Sequence, residues 1–447
     1  MRFLARAVVP AALVSLAFAC GGGDSSGGPD SSTPDGTAGP DATADAPGAD
    51  ADASKPIVLP AACNGSVAST STPATGLPTP PSALSVVSGF KLEVIAKIGS
   101  ARELAALPNG DLLVATNGST IQIVPNAEAD GAPGKSQKFA DGKESNPQGI
   151  AYDPLTCTIY LGTNQGIYSM EYQDGQLTGN FGSPIAKVRQ GSVTPNSDGD
   201  VHRTTSVAFG NGKLYAGVGS GCNACTEVDP TRATVQMMDP DGANMTTKAT
   251  RFRNAIALAT NPATGTVWAG GAGQDSLPLG HPYEFFDPVT LHAGTADYGW
   301  PDCEENHNAF GSNADCSNTV APLIELPAYS TLIGAAFYSA SDTAAHLFPA
   351  QYRGGLFLAA HGSWHTANDG SYYSAPRLVF VAMNGDAPAT PVDWNDPTKQ
   401  WTDFVSGWQD PDSQNRHGRP TGVAVGWKGS LFFADDSNGY VYRVRPN

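Results

Sequence analysis

Val207-Ala-Phe-Gly-Asn-Gly-Lys-Leu-Tyr-Ala-Gly217 is the stretch on which the reading of this chain turns. Apolar residues alternate on both sides of an Asn-Gly pair, and the second run ends in small residues. Alternation of period two flanking such a pair predicts a β-hairpin. The same pattern stands upstream at residues 104–116 and 150–162 and downstream at 256–270. Two further copies follow: Ala336-Phe-Tyr, rejoined after a long insertion by Gly355-Leu-Phe-Leu-Ala-Ala360, and residues 423–434. The copies begin 46, 57, 49, 80 and 87 residues apart. Hairpins recurring at roughly 45 residues, with insertions, suit four-stranded propeller blades. The expectation is an all-β, six-bladed β-propeller over residues 61–447, with the small residues at its crowded centre. A pair of β-sandwiches is the alternative, and the sixfold self-similarity argues against it.

Composition agrees. Gly (51) and Pro (35) make up nearly one residue in five of the 447, and only 15% are charged, a poor recipe for long helices. The formal charge of −17 lacks the basic patch a phosphate backbone needs, so a nucleic-acid partner is not expected. No apolar run reaches the roughly 18 residues of a membrane span.

The chain begins as an export signal: Arg2 and Arg6, an apolar stretch over 7–19, then Cys20. Residues 1–19 are read as a signal peptide, and Cys20 as a lipidation site like that of bacterial lipoproteins, although Ala17 stands where such sites usually carry Leu. Ala17-Phe18-Ala19 would also suit the ordinary signal peptidase. Residues 20–60 are read as a disordered tether. From 21 to 54 the chain holds seven Asp and no apolar side chain larger than Ala, too little to offset its ordering entropy. The expected place is the cell envelope, with the membrane reached only through the lipid.

Six cysteines remain after Cys20, an even set that in an oxidising compartment predicts three disulfides. Fifteen pairings are possible. The preferred one joins Cys222–Cys225 and Cys303–Cys316 locally, which leaves Cys63–Cys157. Zinc held by Cys222-Asn-Ala-Cys225 is the alternative, and Thr226 rules out haem c attachment.

Several chemistries lack their signatures. Gly217-Val-Gly-Ser-Gly221 sits at the end of a strand and reads as a turn, and there is neither a Walker loop nor a GxSxG elbow. All eight His follow residue 200. Four polar segments remain: Asp200-Val-His-Arg-Thr-Thr205, Arg251-Phe-Arg-Asn254, Gly271-Ala-Gly-Gln-Asp275 with Gly280-His-Pro-Tyr-Glu284, and Arg416-His-Gly-Arg-Pro420.

With Tyr298-Gly-Trp-Pro301, Tyr352-Arg-Gly-Gly-Leu-Phe357, His361-Gly-Ser-Trp364 and Gly418-Arg-Pro-Thr-Gly422, these segments resemble the glucose/sorbosone dehydrogenase family. Those are soluble quinoproteins on six-bladed propellers that use pyrroloquinoline quinone (PQQ). The likeness runs from Ser88 to Arg443. It implies oxidation of an aldose or sugar aldehyde at C1, with electrons passed to a separate acceptor. His202 takes the place of the catalytic base, a role that neutral imidazole suits. Arg253, Asn254, Gln148, Arg416 and Arg419 fall at or near cofactor-binding positions, and arginine is the natural partner of carboxylates. Arg416 and Arg419 are spaced Arg-x-x-Arg where the family has Arg-x-Arg, so Arg419 is the firmer of the two. Calcium is implied at Gly273, Gln274 and Asp275, with Glu284 replacing a carboxylate missing from the Ala-Gly-Gln-Asp departure. Trp364 and His365 would form a substrate loop. Two other readings stay open: a six-bladed lactone hydrolase around calcium, and a non-catalytic envelope binding protein on a degenerate dehydrogenase propeller.

Overall fold

The computed structural model describes residues 58–191, 200–278, 280–304, 306–310, 313–366, 373–411 and 415–447. The signal peptide, Cys20 and nearly all of the tether lie outside the described residues.

Six sheets of four or five strands, antiparallel but for one short parallel pair between Thr246–Thr250 and Ala296–Asp297, are arranged as a β-propeller. Their innermost strands are Ala101–Ala106, Gly149–Asp153, Thr205–Gly210, Ala255–Thr260, Leu332–Phe337 and Pro420–Val425, and each packs on the next until the sixth meets the first. These define blades 1 to 6. The ring is closed by an N-terminal strand: Phe90–Lys97 pairs antiparallel with the last strand, Tyr440–Pro446, as the outer edge of blade 6. Glu93 on that strand binds Arg443 at 3.0 Å and Arg445 at 2.8 Å.

The second strands of the hairpins, read as alternating, are buried on both faces. Successive side chains of a strand point to opposite sides. In blade 1, Leu112 packs toward blade 6 with Phe432, while Leu113 packs toward blade 2 with Ile159. Likewise Leu214 faces blade 2 and Tyr215 faces blade 4. Each blade is thus sandwiched between two others.

The Asn-Gly turn behaves as read: Gly210 pairs with Lys213, and both intervening residues, Asn211 and Gly212, are left-handed (φ 49° and 71°), as a two-residue primed turn requires. The small residues ending the second strands have a steric cause. A Cβ on Gly162 would lie 2.0 Å from the Thr205 carbonyl oxygen of the next blade, and one on Gly217 would lie 2.2 Å from that of Ala255. Glycine is what lets the inner strands close up.

All three disulfides take the preferred pairing, Cys63–Cys157, Cys222–Cys225 and Cys303–Cys316. The first ties a turn at Ala61–Cys63, ahead of the propeller strands, to blade 2. The second replaces the zinc alternative, because sulfurs joined to each other are not thiolate ligands.

Candidate active site

A cavity of about 510 Å³ opens where the inner strands begin. Its walls repeat a positional rule. Gln148, Thr204, Asn254, Thr331 and Arg419 each stand one residue ahead of an inner strand, and Arg102 is the second residue of the remaining one. Five equivalent positions, with Arg102 two residues further along its own blade, thus converge on a single space.

Of the residues singled out in the sequence, Gln148, His202, Arg253, Asn254, Gly273, Asp275, Glu284, Trp364, His365 and Arg419 line this cavity. Two do not. Gln274 faces a smaller cavity behind the wall. Arg416 reaches the main-chain oxygens of Ser363 (2.5 Å) and Ser374 (3.0 Å), and so braces the loop that carries Trp364.

His202 Nδ1 lies 2.8 Å from Ser220 Oγ, whose hydroxyl donates to the Cys222 carbonyl at 2.8 Å. With its proton spent there, Ser220 can only accept from His202, so Nδ1 carries the hydrogen and Nε2 keeps the lone pair. Burial, then the neighbouring charge of Arg253, holds His202 well below the ordinary imidazole range, leaving it neutral. Its segment is anchored from beneath: buried Arg232 and Arg189 both meet the Asp200 carboxylate, and Arg189 also donates to the Thr204 carbonyl.

Arg253 is buried in the adjoining wall, just ahead of the inner strand of blade 4. It donates to Asn223 O (3.0 Å), Asn223 Oδ1 (2.8 Å), Ala272 O (3.2 Å) and Asp275 Oδ2 (3.0 Å). Asp275 Oδ1 is held at 2.8 Å by His365 Nε2. Glu284 accepts the Gly273 N–H at 2.8 Å, and burial lifts its carboxyl to about 8, so it is protonated at neutral pH.

A third cluster escaped the sequence reading. Arg102 binds Asp436 at 2.7 Å and Gln148 Oε1 at 3.1 Å, and Gln148 in turn donates to Asn117. His361 Nε2 donates to Asp436 at 3.0 Å; burial holds its pKa near 4, so the ring is neutral. Arg419 grips the carbonyls of His361 (3.0 Å) and Gly362 (2.5 Å). Arg102 could have been found by aligning the first two copies, since it stands two residues ahead of Leu104 as Gln148 stands two ahead of Ile150. Ser220 and Asn223 offered no such signal.

Arg102, Arg203, Arg253 and Arg419 therefore face one space whose carboxylates are Asp275 and, just behind Arg102, Asp436. A cationic cavity in a chain of charge −17 suits a small polyanion. A planar tricarboxylate such as PQQ fits this set of donors. Calcium fits its expected side chains less well: Asp275 is engaged by Arg253 and His365, Glu284 accepts the Gly273 N–H, and Gln274 faces the other cavity. Among the described residues, the only group of three or more His, Cys, Asp or Glu with metal-ligand spacing is Cys222, Cys225 and Glu227, whose sulfurs are bonded to each other.

Fold and cavity together define a six-bladed propeller with a cationic, histidine-bearing pocket at one end of its channel. Within that class, residues 283–447 match the TrAA12-like family model. A calcium structure of the Trichoderma reesei Carbohydrate-Active Enzymes Family AA12 is similar over 85% of this chain and 100% of that one, at 19% identity and a TM-score of 0.64. The holo form of the pyranose dehydrogenase PQQ domain from Coprinopsis cinerea is similar over 83% of this chain and 99% of that one, at 18% identity and a TM-score of 0.63. An uncharacterized protein of Borreliella burgdorferi is 22% identical over 379 residues, 81% of this chain and 91% of that one. The two solved structures bear out the propeller, and the family match agrees with the resemblance read in the sequence.

Proposed function

We propose that the protein is a PQQ-dependent dehydrogenase that oxidises an aldose or sugar aldehyde at C1. The observation that carries this reading is the convergence of four arginines and the neutral His202 on one cavity. Arg102, Arg253 and Arg419 would hold the cofactor's carboxylates, with Gln148 and Asn254 beside them. Bound there, PQQ would supply the two-electron acceptor for the hydride leaving C1. His202 Nε2 takes the C1 hydroxyl proton, because its other nitrogen is committed to Ser220. Loss of that proton and the C1 hydride turns a cyclic sugar into its lactone. Trp364 and His365 stand at the rim, their rings 3.6 Å apart, placed to receive the sugar face. The side chains expected to hold calcium do not form a cage, and no step is drawn through the ion. A lactone hydrolase built on a carboxylate ring is disfavoured by the same arginines. The protein is further proposed to be exported, anchored through Cys20, and to pass electrons to a separate carrier.

The test is dye reduction by protein lacking residues 1–54, given PQQ, with and without calcium, over a panel of aldoses and aldehydes. His202→Ala should lower the rate at least about 100-fold, within the usual range for a general base. Because the His202 pKa lies well below 6.5, the wild-type rate should stay level through pH 6.5 and fall only in more acid solution. Failure of the wild type to bind PQQ would overturn the reading.

A further inference from the structure

Cys222-Asn-Ala-Cys225 belongs to no strand, yet three groups of the cavity lean on it. The Asn223 main-chain oxygen accepts from Arg253 Nε (3.0 Å) and from Trp300 Nε1 (3.1 Å). Its side-chain Oδ1 accepts from Arg253 Nη2 (2.8 Å) and from the Asp275 N–H (2.9 Å). Its Nδ2 donates to the Asp275 carbonyl at 3.0 Å. One residue earlier, Cys222 O receives the Ser220 hydroxyl that orients His202. A single short loop therefore supports the base, the buried cation and the carboxylate that holds His365.

The residue type matters. Asn223 takes two N–H groups of the Arg253 fork and so sets the plane of the guanidinium. Its carboxamide also offers an acceptor oxygen and a donor nitrogen side by side, which together clamp the N–H and the carbonyl of Asp275. A loop without ladder hydrogen bonds would otherwise sample many conformations, and the Cys222–Cys225 bond closes it at its base. On its outer side the loop borders a separate crevice, lined by Cys225, Glu227, Asp229 and Arg232, away from the cavity.

We propose that Asn223 is a positioning residue of the cavity, and that the Cys222–Cys225 disulfide serves to hold it there. The proposal rests on the quinoprotein reading only for the identity of the ligand that Arg253 meets. Partners that orient the ligands of a metal site contribute roughly 10- to 100-fold to metal affinity, and a partner that orients a ligand-binding cation is expected to act on the same scale. Asn223→Ala should accordingly weaken PQQ binding at least about tenfold, measured by equilibrium dialysis, while the thermal midpoint stays close to wild type. Asn223→Asp keeps the acceptor but not the donor and should restore part of the loss. Cys222→Ser combined with Cys225→Ser should match Asn223→Ala; the paired substitution is preferred to a reductant, which would attack the other two disulfides as well. Affinity within twofold of wild type in both Asn223→Ala and the paired serine variant would overturn the proposal. A crystal structure of cofactor-free Asn223→Ala decides the matter even if the wild type takes no PQQ. Displaced Arg253 and Asp275 side chains would support it, and both in their wild-type places would overturn it.

Discussion

Glu284 shows most directly what a single residue does in this site. Its carboxyl is buried against Gly273, and burial raises its pKa from 4.5 to about 8. A group that binds its proton more tightly when folded favours folding at low pH: its contribution is whole below 4.5 and is lost as pH rises through about 8. Glu284→Gln, which keeps the shape without the titration, should melt with wild type at pH 5 and several degrees above it at pH 9. Calorimetric melts at the two pH values check this, and equal midpoints at pH 9 would refute it. At the same scale, His202 was legible in the sequence as a candidate base, whereas its tautomer was not. The proton on Nδ1 follows from Ser220 and Cys222 O, partners set by how the 200–204 segment folds against the loop after the blade's second strand, Lys213–Val218.

At the scale of the element, the second strand of each blade is shaped by its neighbour. Gly162 ends one such strand with a Cβ position only 2.0 Å from the Thr205 carbonyl oxygen. Gly162→Ala has to push two blades apart, an overpacking cost of about 1–3 kcal/mol. Urea unfolding should show that loss. A Gly182→Ala control, where a Cβ meets nothing within 4 Å and the backbone is not left-handed, should show no such loss. The hairpins themselves were readable, because alternation and an Asn-Gly turn are local properties. The first copy was read as starting at Leu104, although its strand begins at Ala101, and that offset hid Arg102.

At the scale of the molecule, the ring depends on long-range closure. Phe90–Lys97 completes the last blade, and Cys63–Cys157 joins residues 94 apart in sequence. Removing that disulfide with Cys63→Ser and Cys157→Ser frees a long loop in the unfolded chain and should cost about 4.7 kcal/mol on the chain-entropy account. Denaturant titration of the pair against wild type measures it, and a loss below about 1 kcal/mol would mean that the strands alone hold the N-terminal segment.

The all-β class, the six hairpin copies, the local disulfides and most of the cavity's residue types were already present in the order of amino acids. Period-two burial, turn chemistry and short cysteine spacing act between residues close in the chain. The convergence of Arg102, His361 and Asp436, the engagement of Asp275 by Arg253 and His365, the support from Asn223 and the protonation of Glu284 came only with the closed ring. Each depends on distances between blades and on the loss of water at their shared axis, and neither quantity exists until residues more than 300 positions apart, such as Arg102 and Asp436, are brought into contact.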